Sequence, residues 1–245
     1  MRVTAVITAF NRPASLERLY RSLRRFYPAL PCVVVDTGEQ PTTLSADLPG
    51  DHQIAYRQRG DLRANVSAAR NAGVRECQSK FVLILDDDQE FTSDKTLPAM
   101  LDVLKSDAEI AAVTATMVQG GKLIVFARDI QLSNGTMRLV KAQRPERTTP
   151  GGTVYRPCNA TWSGCILARR ETWLSHPWDE SIPTCVEAED WWLAMQAAGL
   201  LLATCPEVMV LHWPGGDAGY TKERQRDYRP QLKEKWNINR VVAVG

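Results

Sequence analysis

Hydrophobic and polar positions follow an alternating strand and helix rhythm through the first half of the chain. Val3 to Thr8 is a continuous apolar, β-branched run and predicts a buried strand. Pro13 stands where a helix would begin, and Leu16, Leu19, Tyr20, Leu23 and Phe26 recur at helical spacing behind it. Cys32 to Val35 predicts a second strand, closed by Asp36-Thr37-Gly38, and Gln53 to Tyr56 a weaker third. Asn65 to Cys77 reads as a helix, Phe81 to Leu85 as the clearest strand, Leu97 to Lys105 as a helix and Ile110 to Thr116 as a strand. This alternation predicts an α/β fold, an open, mostly parallel, doubly wound sheet with helices on both faces.

The second half is patterned differently. Leu123 to Val140 predicts short strands around the turn Ser133-Asn134-Gly135. Arg144 to Cys158, with Pro145, Pro150, Gly151, Gly152 and Pro157, reads as a loop. Glu187 to Ala198 is helical and stopped by Gly199. Leu200 to Ala203 and Val208 to Leu211 predict two short strands, and Gln231 to Trp236 a helix in a charged tail.

Composition narrows the class. The 245 residues are 44% hydrophobic and 24% charged, which excludes a disordered, collagen-like or rod-like chain. No apolar stretch reaches the roughly 18 residues of a spanning helix, and Met1 to Ile7 lacks the layout of a signal peptide. A net charge of +2 gives no support for a nucleic-acid partner. The 6 cysteines form no C-x-x-C pair and read as reduced, mostly buried thiols. A cytoplasmic location is expected. Arg18, Arg21, Arg24 and Arg25 make a basic stripe on the first helix, either a solvated face or a peripheral contact with anionic lipid at the inner face of a membrane.

The most informative residues are Asp86-Asp87-Asp88, directly after the Phe81 to Leu85 strand. Ligands of open parallel sheets bind outside the carboxyl ends of the strands. Three adjacent carboxylates repel one another unless a cation or solvent relieves them. In extended chain Asp86 and Asp88 share one side and Asp87 faces away. Such oxygens suit Mg²⁺ or Mn²⁺; the alternative is a solvated acidic turn. Neither G-x-x-x-x-G-K-[ST] nor G-x-G-x-x-G is present, so a bound diphosphate would be held mainly by metal.

Taken in order, further segments accompany this triplet: Thr8-Ala9-Phe10-Asn11-Arg12-Pro13, Val35-Asp36-Thr37-Gly38, Ser67 to Gly73, Ser163-Gly164 with Arg169-Arg170, Trp178-Asp179-Glu180, Glu189-Asp190 leading to Gly199, and His212. With Asp86-Asp87-Asp88 these resemble the family 2 glycosyltransferases of the GT-A fold across most of the chain. Glu187 to Trp192 and the tail are similar to the β-1,4-N-acetylgalactosaminyltransferase branch. The resemblance implies one GT-A domain over 1–245, with a nucleotide-sugar half (1–118), an acceptor-side half (119–216) and a tail (217–245). It implies an inverting hexosyl or N-acetylhexosaminyl transfer from a UDP-sugar donor to an acceptor hydroxyl, with Mn²⁺ or Mg²⁺ as cofactor.

By the same pattern, Thr8, Phe10, Asn11, Arg12, Asp36, Arg70 with Asn71, Asp86 and Asp87 would surround the donor. Asp88 and His212 would hold the metal, and Gly164, Glu189 and Trp191 would face the acceptor. Asp190 is the expected general base, with Glu189 or Glu187 as its rivals, and the loop Arg144 to Cys158 is expected to fold over the donor. Each residue also has a plain structural reading. Asp36 fits an Asx-turn, Arg70 a helix-surface ion pair, His212 a structural strand end, and Trp191 and Trp192 core packing. Asn71-Ala72-Gly73 are poor helix formers in a helix, which mildly favours a functional reason. The acceptor class stays open between saccharide, lipid-linked sugar, peptide, small metabolite and modified base. Two rival activities remain, a sugar-phosphate nucleotidyltransferase and a non-catalytic nucleotide-sugar-binding module. The first is disfavoured by the absence of glycine from Ala9 to Pro13, the second by intact Asp86, Asp88, Asp190 and His212.

Overall fold

Apolar runs become the centre of a large sheet in the computed structural model, which describes residues 3–38, 42, 54–162, 164–215, 222 and 226–243. Strand β1 (Val3–Ala9) is buried at every position and leads into helix α1 (Pro13–Phe26) and β2 (Cys32–Asp36). Then follow β3 (Ile54–Gln58), α2 (Val66–Glu76), β4 (Phe81–Asp86), β5 (Gln89–Phe91), α3 (Thr96–Ser106), β6 (Ile110–Gln119) and β7 (Lys122–Ile124). The second half contributes β8 (Ala127–Ser133), β9 (Thr136–Lys141), β10 (Arg147–Thr148), β11 (Val154–Cys158), β12 (Ala160–Thr161) and β13 (Cys165–Arg169). It ends with α4 (Arg170–Ser175), α5 (Glu187–Ala197), β14 (Leu201–His212), α6 (Arg229–Trp236) and β15 (Arg240–Ala243). The expected residues Gln53, Ser163, Gly216, Asp217, Glu223 and Arg224 lie outside the described ones.

The long sheet runs β10-β11-β14-β6-β13-β4-β1-β2-β3. Strands β14, β6, β4, β1, β2 and β3 point one way, and β13 is inserted against the grain between β6 and β4. The predicted α/β architecture with helices on both faces therefore holds. Leu16, Leu19 and Leu23 of α1 pack with Leu97, Met100 and Val103 of α3 on one face. On the other lie Ala69 and Val74 of α2, Trp173 of α4, Trp191 of α5 and Leu232 of α6. A second sheet, β12-β8-β9-β15, contains the predicted hairpin. Its turn needs two left-handed residues, and Asn134 (φ 47°) and Gly135 (φ 67°) supply them.

Three expectations are corrected. Arg144 to Cys158 is not a free loop: β10 and β11 within it pair at the far edge of the sheet. It is anchored there by Arg147 and Tyr155 on Asp107 (2.8 and 2.7 Å), so it does not cover a donor. The two short strands after Gly199 are one strand, β14. Its pairing with β6 jumps from Cys205↔Ala115 to Met209↔Thr116, so Pro206, Glu207 and Val208 bulge out. The poor helix formers in α2 have a packing reason. A Cβ on Gly73 would strike Val6 of β1, and Asn71 staples α2 to Trp178 through bonds of 2.8 and 3.0 Å.

The basic stripe on α1 is also engaged. Arg21 pairs with Glu17, Arg24 donates to the Leu30 carbonyl at 2.8 Å, and Arg18 lies 5.2 Å from the Trp213 ring centre. Among the described residues no helix is long and apolar enough to cross a membrane. Five of the cysteines are buried and Cys185 is exposed.

Candidate active site

The carboxyl ends of β1 and β4 open into one cleft. Its narrow end is a slot lined by Thr8, Phe10, Thr37, Val66, Arg70 and Asp86. Its wide end, about 490 Å³, is lined by Asp86, Asp88, Glu187, Glu189 and His212 together with the aromatic rings of Phe126, Trp162 and Trp192. Asp86 and Glu187 border both ends and join them.

Parallel pairing sets Thr8 beside Asp86, and the Thr8 hydroxyl donates to Asp86 Oδ1 at 3.4 Å. Arg70 enters from α2, only 1% exposed, and donates from Nη2 to Asp86 Oδ1 at 2.9 Å. Its guanidinium lies 4.3 Å from the Trp178 ring centre. Arg70 Nη1 is 3.6 Å from Glu187, and neither Nε nor Nη1 has a hydrogen-bond partner. Buried guanidinium donors without acceptors are costly, so the slot is set up for an electron-rich ligand.

The acidic triplet faces the way the extended-chain reading expected, but for another reason: β4 ends at Asp86, and Asp87 and Asp88 form the turn into β5. Asp86 and Asp88 border the cleft while Asp87 turns inward, fully buried. Asp87 therefore does not reach a donor. It is held by Arg12 Nη2 and Nε, and burial pushes its carboxyl up to about 8 while Arg12 opposes that shift. Arg12 also donates to Asp88 Oδ2 at 2.8 Å and to the Gly215 carbonyl at 2.9 Å. Against the upward push of burial, His212 and Arg12 hold Asp88 below the ordinary carboxylate range.

His212 is placed by the end of β14, where it pairs with Gln89. Its Nδ1 is 2.9 Å from Gln119 Oε1 and its Nε2 is 3.5 Å from Asp88 Oδ2. The amide oxygen can only accept, so Nδ1 donates to it and Nε2 faces Asp88, donating to that carboxylate when protonated and offering a lone pair when a cation takes the proton's place. Asp88 Oδ1 is buried without a hydrogen-bond partner. An orphaned carboxylate oxygen beside an imidazole lone pair fits a divalent cation. Among the described residues no group of three His, Cys, Asp or Glu side chains is gathered closely enough to hold an ion unaided. Ligand oxygens would have to complete the set.

Other expected residues lie elsewhere. Asp36 is fully buried and accepts from the Gly38 and Thr42 backbone N–H groups, both at 2.9 Å. That is the Asx-turn reading, and it places Asp36 beneath the slot instead of lining it. Asn11, at φ 53°, packs under Gly38, where a Cβ would lie 2.5 Å from its Oδ1. Trp191 belongs to the core, stacked on Trp173 and Trp178 with centroids 4.9 and 5.1 Å apart. The room left by Gly164 is already filled: a Cβ there would meet Gln89 Nε2 at 2.6 Å and the Trp162 ring at 2.8 Å.

Asp190 is only 2% exposed. Lys235 reaches it at 2.8 Å and Trp236 Nε1 donates to it at 2.7 Å, both from α6. Lys235 also donates to Asp179 at 2.6 Å. These two carboxylates outweigh burial and keep Lys235 above the ordinary lysine value. Glu189, one residue earlier, borders the cleft instead. Burial, helped by the neighbouring Glu187 charge, pushes its carboxyl up to about 7. Trp191 and Trp192 had two readings, core packing or a face for a sugar ring; Trp192 borders the cleft, and Phe126, Trp162, Cys185 and Gln119 join the site without having been singled out in the sequence.

Comparison with known proteins follows the same outline. The model of glycosyl transferase family 2 matches residues 4–171. Beta-1,4 N-acetylgalactosaminyltransferase 1 of Homo sapiens is 33% identical over 242 residues, 95% of this chain and 44% of that protein. The chain thus spans less than half the length of this relative. Among solved structures, GalNAc-T7 with UDP, GalNAc and Mn²⁺ aligns with a TM-score of 0.64 at 15% identity, over 90% of this chain and 47% of that one. S. aureus TarS 1-349 aligns with a TM-score of 0.53 at 14% identity, over 88% and 59%. At these identities the two structures speak for the fold alone.

Proposed function

Because the chain belongs to glycosyl transferase family 2, we propose that it moves a sugar, with inversion, from a UDP-sugar to an acceptor hydroxyl. The observation that carries this reading is the junction at Asp86. There a slot with unsatisfied Arg70 donors meets a wider cleft bordered by Asp88, His212 and Glu189. The slot would hold the nucleoside, with the Thr8 to Phe10 segment and Thr37 along its walls. Arg70 and Asp86 would orient the part of the donor nearest the bond that breaks.

Asp88 and His212 would hold the metal, with diphosphate oxygens completing its shell. When bound, Mn²⁺ or Mg²⁺ supplies positive charge beside the departing diphosphate. Arg12 keeps Asp88 ionised and aimed, and Gln119 keeps the His212 lone pair directed at the same point. Glu189 is the base in this reading, replacing Asp190. It borders the cleft, whereas Asp190 has both oxygens engaged by α6. A carboxyl raised to about 7 is half ionised at neutral pH and mostly ionised above it, and in that form it is a stronger base for the hydroxyl proton than an ordinary glutamate. The glycosyl–phosphate bond breaks as the new glycosidic bond forms, and the proton ends on Glu189.

Calorimetric titration with UDP, with and without Mn²⁺, tests the donor half of this proposal. Wild-type protein should bind UDP tightly only with metal, and Asp88→Ala should abolish the metal dependence. Equal UDP binding by both proteins, with and without Mn²⁺, would overturn the metal assignment. Release of pyrophosphate instead of UDP during turnover would overturn the reaction class.

A further inference from the structure

The wide end of the cleft has an aromatic wall that the transfer chemistry above does not use. Phe126 and Trp192 stack with centroids 5.5 Å apart and planes at 30°. Trp162 stands edge-on to His212, centroids 5.7 Å apart at 67°. All three rings border the same 490 Å³ space as Glu189 and Asp88. Trp162 is held there by its neighbours. Gly164 has no side chain because the Trp162 ring occupies that volume, and Gln89 closes the remaining side by donating to the Gly164 carbonyl.

The chemistry of this wall is two-sided. Aromatic faces present negative π-density and apolar area, while Glu187, Glu189 and Asp86, which border the same space, present carboxyl oxygens. A ligand suited to both has one face of C–H groups and an edge of hydroxyl donors. A pyranose ring has that construction. Among the described residues bordering this end there is no lysine or arginine, and the charge of a cation on Asp88 and His212 would be matched by Asp88 and the diphosphate, so no side chain here pairs with an anionic ligand. We propose that Trp162, Phe126 and Trp192 form the acceptor subsite and that it takes an uncharged pyranoside, whose hydroxyl is presented to Glu189. This rests on the transferase reading above and adds the acceptor's class, its charge and the residues that recognise it. Gly164 acts as a positioning residue through Trp162.

The test uses protein saturated with UDP and Mn²⁺ and follows ligand binding by saturation-transfer NMR. The probes are the methyl β-glycosides of glucose, galactose and N-acetylglucosamine, with methyl β-glucuronide as the charged counterpart. At least one neutral glycoside should bind saturably, and the glucuronide should bind more weakly than it. Trp162→Ala should weaken the neutral glycoside about tenfold, the scale of one lost aromatic contact. Trp162→Phe should restore most of that binding, and Gly164→Ala should mimic Trp162→Ala. UDP affinity should be unchanged in all three variants, which also shows that they fold. The inference is overturned if UDP binds but no neutral glycoside does, if the glucuronide binds best, or if Trp162→Ala equals wild type. Failure of wild-type protein to bind UDP would instead remove the transferase reading beneath it.

Discussion

Two acidic clusters border the cleft, Asp86-Asp87-Asp88 at the end of β4 and Glu187 to Asp190 at the start of α5. Each turns some carboxylates to the open space and buries one on a cation. Asp87 is buried on Arg12 and Asp190 on Lys235. The cations differ in what else they hold. Arg12 also binds Asp88, so at β4 the structural acid and the proposed metal ligand share one guanidinium. Lys235 bridges Asp190 to Asp179 and leaves Glu189 alone. The β4 cluster therefore couples stability to ligand binding, while the α5 cluster keeps the two apart.

The sharpest way to break this comparison is to neutralise the two neighbours on α5. Glu189→Gln should lower kcat by a factor on the order of 10²–10⁴ with UDP binding retained. Asp190→Asn should leave kcat near wild type and lower Tm. Steady-state kinetics that reverse this order would restore Asp190 as the base. At β4, Arg12→Ala leaves the fully buried Asp87 without its partner and should cost about 3 kcal/mol in a urea melt, the low end for a broken buried pair because a carboxyl already raised to about 8 takes up a proton. It should also weaken Mn²⁺-dependent UDP binding, and a variant that loses stability alone would uncouple the two acids. Lys235→Ala should cost less, about 2 kcal/mol, because Lys235 is 38% exposed and Trp236 still donates to Asp190. Its UDP affinity should match wild type. The smallest effect is on pH. With its carboxyl raised to about 7, Glu189 is ionised only above that value. The kcat/KM of the wild type should fall on the acid side of pH 7 and level off above it. A profile flat down to pH 5 would exclude Glu189.

Legibility in the sequence follows the same division. The parallel half was readable because each strand is a continuous apolar run and each helix a 3.6-residue pattern, so β1, α1, β4 and α3 lie within a residue or two of expectation. The inward side of Asp87 was expected from an extended chain, whereas a turn between β4 and β5 produces it. Edge strands β10 and β11 were hidden by Pro150, Gly151 and Gly152, which form only the tight turn between them. The partners of Asp190 were not readable, because Lys235 and Trp236 lie 45 and 46 residues downstream in a tail that looked merely charged. Of the aromatic wall only Trp192 drew attention, as one of two tryptophans on α5 that could pack in the core or face a sugar, while Phe126 and Trp162 come from unrelated segments and join it only in the folded cleft.

The bulge at Pro206, Glu207 and Val208 has a consequence for how this corner can change. Those residues act as a spacer, and with them β14 delivers His212 opposite Gln89 and within 3.5 Å of Asp88. Shortening the spacer by one residue would also flip the imidazole to the opposite face of the sheet. The reach of this histidine is thus tuned by insertion and deletion, a coarser dial than side-chain replacement.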